Sequence, residues 1–214
     1  MSSSVLILST GTANTASVGA GLERAGARAS LVREPADVER AERLVLPGVG
    51  SFASALQRLE QDGLVEPLRR RLATGRPTLA ICLGLQLLGT GSDESPGVRG
   101  LGLLDVKATR FASGKRIPHL GWNRIANSGG PLLTEGDVYF ANSFRWRELP
   151  PAARLAGWQA SVCNYEGESF VAAVERGAVL ACQFHPELSG SLGRRLLTRW
   201  LACGYSPIEE SSPC

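Results

Sequence analysis

The sequence predicts an open α/β fold, a mostly parallel sheet with helices on both faces and additional antiparallel strands. Three observations carry the prediction. Short continuous apolar runs end in turn residues, segments of helical periodicity separate them, and the middle of the chain shifts to strand-like runs punctuated by Gly and Pro. An apolar run without alternation suits a strand covered on both faces, as in a parallel sheet.

Residues 5–8 give a first buried strand, and the small polar residues 9–15 after it a loop. Val18, Leu22 and Ala25 recur at helical spacing, Gly26 ends that helix, and residues 29–32 give a second strand. A third strand at 44–46 is stopped by Pro47-Gly48-Val49-Gly50. Residues 57–72 carry one helical period, and Arg69-Arg70-Arg71 at its end reads as a solvated face that favours the helix C-terminus. Residues 77–88 read as strand, sharp turn and helix. Strand-like runs follow at 101–106, 117–123, 137–140, 155–162 and 170–174, then an apolar strand at 178–183. Residues 191–201 close as a helix with Leu192, Leu196, Leu197, Trp200 and Leu201 on one face. No linker composition divides residues 1–203, which read as one domain, and the polar tail 204–214 is expected to fray.

Composition excludes several classes of function. A net charge of +3 over 214 residues is too small to argue for nucleic acid or an anionic membrane, and no basic run alters that. Five cysteines, an odd number without CxxC or Cys/His spacing, suggest neither a disulfide framework nor a metal site, and no cofactor is expected. The chain reaches an apolar strand by Val5 without a basic leader, and no window approaches ~18 apolar residues. A reducing, cytoplasmic setting follows as the expectation.

Chemistry enters at Ala80-Ile81-Cys82-Leu83-Gly84-Leu85-Gln86. Small residues two positions either side of Cys82 let strand and helix backbones approach around a strained turn, the pattern of a nucleophile elbow. At a helix N-terminus the thiolate would be favoured by the dipole, and the Leu83 N–H would face an oxyanion beside the sulfur. An inert core cysteine fits the same stretch. A nucleophile needs a base, and His119 and His185 are the two histidines. His185 follows a predicted strand in Gln183-Phe184-His185-Pro186-Glu187, which puts it at the same sheet edge as Cys82, with Glu187 in reach of its far ring nitrogen. His119 lies in an apolar segment and reads as a hydrogen-bonded structural residue; Cys163, Cys182, Cys203 and Cys214 have no base partner.

With both motifs in place, the chain resembles the class I (triad) glutamine amidotransferases over about residues 5–201. Within them, Leu46-Pro47-Gly48-Val49-Gly50-Ser51-Phe52 and Pro118-His119-Leu120-Gly121-Trp122-Asn123 look like the glutaminase subunit of imidazole glycerol phosphate synthase. The resemblance implies Cys82 as nucleophile, His185 as acid and base, and Glu187 as its orienter. It implies an oxyanion hole from Leu83 and the Val49–Gly50 loop, with glutamine held by Gly50, Gln86, Asn142, Ser143 and Phe144. The implied partner is a (β/α)8-barrel cyclase subunit that receives the ammonia, met by Asn14, Trp122 and Asn123; taken alone, Asn14 reads as a turn residue or N-cap. The chain departs from the family pattern at Ala13, Asn142, Phe144 and Leu188, where Gly, His, Tyr and Lys are usual. A different ammonia acceptor, of the anthranilate or pyridoxal phosphate type, and a non-catalytic binding subunit stay open at this point.

Overall fold

The computed structural model describes residues 3–9, 14–112, 114–126 and 129–205. Positions 10–13 of the first loop, Ala13 included, and the tail beyond Tyr205 lie outside the described residues. The elements run β1 (Ser3–Leu8), α1 (Thr15–Arg24), β2 (Ala27–Val32), α2 (Pro35–Arg40), β3 (Arg43–Gly48), α3 (Phe52–Gln61), α4 (Val65–Ala73), β4 (Thr78–Cys82) and α5 (Leu83–Leu87). The second half continues with β5 (Gly91–Ser92), β6 (Lys107–Arg110), β7 (His119–Ile125), β8 (Gly136–Asn142), β9 (Phe144–Arg145), α6 (Pro151–Leu155), β10 (Gln159–Tyr165), β11 (Glu168–Arg176), β12 (Val179–Cys182) and α7 (Gly190–Ala202), with a 3-10 turn at Pro186–Leu188.

Nine strands share one sheet in the order β2-β1-β3-β4-β12-β11-β10-β7-β8. The five strands from β2 to β12 are parallel, and β11, β10, β7 and β8 extend the sheet antiparallel. Alternation along each parallel strand divides the core in two. Leu44, Leu46, Ala80, Val179 and Ala181 pack with Leu56, Leu59, Leu68 and Leu72 of α3 and α4. Val45, Leu79, Ile81 and Leu180 pack with Val18 and Leu22 of α1 and Leu196, Leu197 and Trp200 of α7. Helices therefore cover both faces, and the strand C-termini open onto one edge.

Four local expectations are corrected. The single helical run over 57–72 is two helices, because Gly63, at φ +67°, turns the chain after α3 and lets Leu64 N–H donate to the Leu59 carbonyl at 2.8 Å. Residues 101–106 form no strand. Their amides satisfy the end of α5 instead, Leu101 donating to Leu87 O at 2.7 Å and Leu103 to Leu88 O at 2.9 Å, while Leu101 and Leu104 plug the core. The run at 155–162 begins in α6, which Pro151 starts, and becomes strand at Gln159. Pro47 does not stop β3, which continues to Gly48 in register with Cys82.

Arg71 corrects the solvated reading of the arginine cluster. Its side chain is buried and donates to the carbonyls of Val38, Ala41, Glu42 and Pro77 and to Thr78 Oγ1, at 2.8 to 3.3 Å. Burial drives its pKa down to about 10, yet the guanidinium finds a partner for every donor direction and ties α4 to the starts of β3 and β4. Arg69 and Arg70 stay at the surface, paired with Glu66 and Glu39.

Candidate active site

Cys82 ends β4 with φ +55° and ψ −108°, a conformation that costs an L-residue on the order of 1–3 kcal/mol and persists only where packing enforces it. The enforcement is visible at Gly84. A Cβ there would lie 2.2 Å from the Leu46 carbonyl, so only glycine lets the chain turn this close to β3. The helix behind the elbow is short. It covers only Leu83–Leu87, so its dipole is that of little more than one turn.

β12 lies beside β4, with Cys182 opposite Ile81, so the chain leaving β12 carries His185 to the elbow. His185 Nδ1 lies 2.8 Å from Glu187 Oε1, and both side chains are buried. The histidine backbone is fastened at both ends. Its N–H donates to Tyr139 O of β8 at 2.9 Å, and its carbonyl accepts from Ser189 Oγ at 2.6 Å, while Ser189 Oγ accepts from Tyr139 N–H at 3.0 Å. From behind, α1 presses on the Glu187 turn: a Cβ on Gly21 would meet the Glu187 Cβ at 2.7 Å, and Arg24 donates to the Glu187 carbonyl at 3.2 Å. Burial alone would push the His185 pKa down. Hydrogen bonds to Cys82 and Glu187, and the negative charges of both, overcome it and raise the value to about 10.

A cleft of about 260 Å3 opens over the sulfur, lined by Val49, Gly50, Leu83, Gln86, Asn142, Ser143, Phe144 and His185. Oxyanion and substrate candidates named from the sequence therefore meet in one place. Asn142 Nδ2 donates to Phe144 O at 3.0 Å, and Gln86 Nε2 to the same carbonyl at 3.1 Å. Gln86 Nε2 also donates to Gln183 Oε1 at 3.0 Å, which commits both hydrogens of its amide. Arg145, fully buried, pairs with Glu168 and Thr109 and holds β9 in place beneath these contacts.

Asn14, Trp122 and Asn123 lie outside the cleft. Asn14 caps α1, its Oδ1 accepting from Ser17 N–H at 3.2 Å. Trp122 is 58% exposed on β7, with Leu120 beside it on the same strand face and Leu188 exposed one residue past Glu187. Asn123 is half-buried and donates from its amide to Asn164 O on the neighbouring β10 at 2.9 Å.

Sequence reasoning missed Glu94, Gln183 and Ser189. Glu94 lines the cleft, and its Oε2 accepts from Phe52 N–H at 2.7 Å, so the carboxylate caps α3 directly after the Val49–Gly50 loop. Nothing in the spacing of Ser92-Asp93-Glu94-Ser95 marks it. Gln183 and Ser189 flank the His-Pro-Glu motif and could have been weighed as its supports. No group of metal-ligating side chains is found among the described residues.

The family model described as "Glutamine amidotransferase class-I" matches residues 6–202. The imidazole glycerol phosphate synthase subunit HisH of Thermus thermophilus is 40% identical over 193 residues, 90% of this chain and 93% of that protein. The chloroplastic imidazole glycerol phosphate synthase hisHF of Arabidopsis thaliana is 40% identical over 203 residues, 92% of this chain but 34% of its own. The chain thus spans about a third of the hisHF relatives and nearly all of the HisH ones. Among solved structures, one described as a glutamine amidotransferase has the same fold, with TM-score 0.73 at 24% identity over 92% of this chain and 97% of that one.

Proposed function

The chain belongs to the class I glutamine amidotransferases, and on that premise we propose that it hydrolyses glutamine to glutamate and ammonia through Cys82, His185 and Glu187. Its ammonia goes to a (β/α)8-barrel cyclase partner that makes imidazole glycerol phosphate and AICAR in histidine biosynthesis. The single observation that carries the chemistry is the buried His185–Glu187 pair brought to the strained Cys82 across adjacent strands. The partner reading is supported by HisH relatives at about 40% identity, and by hisHF relatives in which the matching segment fills a third of a longer chain.

Cys82 thiolate attacks the side-chain amide carbon of glutamine, forming a C–S bond and an oxyanion. The Leu83 N–H and one from the Val49–Gly50 loop receive that charge. As the intermediate collapses, the C–N bond breaks, the His185 proton passes to nitrogen, and ammonia leaves a thioester. His185 then takes a proton from water, which attacks the thioester carbon; the C–S bond breaks and glutamate departs. Glu187 keeps the imidazole in one tautomer and stabilises its charged form. Losing one oxyanion donor costs about 3 kcal/mol, on the order of a hundredfold in rate. One peptide rotation at Val49–Gly50, where Gly50 has φ +94°, is thus enough to switch turnover.

Leu120, Trp122 and Leu188 give the partner an apolar surface, and Asn14 and Asn123 take the interface role the resemblance assigns them. No helix among the described residues is long and apolar enough to cross a membrane. A reducing cytoplasm suits a reaction that needs Cys82 as a free thiol, and no described cysteine is paired.

The test is glutamate release by the purified chain, alone and with the barrel subunit and its ribonucleotide ligand, for wild type and Cys82→Ser. Low activity alone, a large rise with both additions and loss in the variant are expected. No response to the barrel, with Cys82 still essential, keeps the triad and refutes the pathway.

A further inference from the structure

The thiolate of Cys82 needs more than an imidazolium, because its sulfur also lies 4.0 Å from the Ala141 carbonyl, whose negative end opposes the charge. Gln183 supplies an opposing group. Its side chain is fully buried, its Nε2 lies 3.7 Å from Cys82 Sγ, and its Oε1 accepts from Gln86 Nε2 at 3.0 Å. The orientation of both amides follows from chemistry. The Phe144 carbonyl can only accept, so the Gln86 atom facing it is the nitrogen. That same nitrogen faces Gln183, so the Gln183 atom it meets is the oxygen, and the remaining NH2 must point at the sulfur.

We infer that Gln183 is a further catalytic residue, a hydrogen-bond donor to the Cys82 sulfur, held in its donating orientation by a relay from the Phe144 carbonyl through Gln86. The inference rests on Cys82 being the nucleophile of the proposed acyl transfer. In the resting state the N–H···S contact favours thiolate over thiol. When water opens the thioester, the C–S electron pair returns to sulfur, and the same donor stabilises the leaving thiolate. Among the described residues, the charged groups that line the cleft over the sulfur are His185, backed by Glu187, and Glu94. Gln183 carries no charge at any pH, so its contribution stays constant while His185 changes charge.

Gln183→Met keeps the length of the side chain and removes the donor. The experiment is the rate of Cys82 carbamidomethylation by iodoacetamide, followed at that residue by mass spectrometry, on the free chain without glutamine or partner. A fall of about tenfold at pH 7, closing again as the pH is raised until wild type and variant coincide, is expected for the loss of one hydrogen bond to a charged acceptor. A rate equal to wild type, or one depressed equally at every pH, overturns the inference, since the second pattern reports blocked access. If Gln183→Met does not fold, Gln86→Met takes its place. It frees the Gln183 amide to rotate, and a smaller fall in the same pH-dependent manner supports the relay, whereas an unchanged rate refutes it. The readout needs no glutaminase turnover, so failure to release glutamate would strike the proposed function and leave this result standing.

Discussion

His185, three residues past β12 in the parallel half of the sheet, and His119, at the start of β7 in the antiparallel half, are 9% and 2% exposed. Burial pushes both imidazoles toward the neutral form, yet they end far apart. His119 stacks between Tyr165 at 3.9 Å and Phe140 at 4.6 Å, and its pKa falls to about 4 because desolvation outweighs the raising effect of the Glu166 charge. Among the described residues its Nδ1 has no hydrogen-bond partner, while Nε2 has Asn123 Nδ2 at 3.4 Å, so it is a structural residue that is both stacked and hydrogen-bonded. His185 has a carboxylate and a sulfur beside it instead, and they carry it to about 10. Burial sets a common starting direction, and the partners decide the charge.

The widest separation between the two sites should appear in turnover. His185→Asn is expected to lower kcat about 10^4-fold, while His119→Asn changes it severalfold at most, and glutamate release under saturating partner measures both. Equal losses would collapse the distinction. Glu187→Gln preserves shape but removes the charge and the tautomer control, and a loss of about 10^3-fold in kcat is the expected outcome, with a lower melting temperature at neutral pH because the charge that stabilises the His185 imidazolium is gone. Gly21→Ala sharpens the comparison from the supporting side. In an open helix position alanine would gain about 0.5–1 kcal/mol, but here its Cβ enters the Glu187 backbone turn, an overpacking cost of about 1–3 kcal/mol. Net destabilisation in a denaturant titration, with kcat falling more than KM rises, is expected; a stabilised and fully active variant would show the contact to be soft.

The smallest effects are in pH. His119 has a folded value near 4 against an ordinary 6.5, so the unfolded chain binds the extra proton first. Its stabilising neutrality is present above about 6.5 and is lost as the pH falls through about 4. His185 runs the other way: its contribution is full below about 6.5 and is lost as the pH rises through about 10. Thermal melts across pH should therefore become shallower on the acid side in His119→Phe and on the alkaline side in Cys82→Ala. The same flank flattening in both variants would mean that the two environments are coupled.

Where a local pattern had one physical solution, it could be read in advance. The small residues around Cys82 suited a close elbow, with an inert core cysteine as the alternative until the His-Pro-Glu motif was added, and the apolar run before it suited a buried strand. The layering was also within reach, since alternating strands and helices leave few ways to cover both faces. Arg71 shows the opposite case. Three consecutive arginines on a helix look alike in sequence, and only the meeting of α4 with the starts of β3 and β4 gave one of them five acceptors.

By itself, the sequence determined the fold class, the candidate nucleophile and its base, and the motifs that place the chain in its family, because each rests on short-range spacing. Tertiary structure alone decided that Glu94 enters the cleft, that Ser189 clamps the histidine to β8, and that Gln183 aims its amide at the sulfur. Those facts depend on side chains brought together from separate strands. Hydrogen-bond direction and desolvation are properties of that meeting, and no stretch of chain carries them alone.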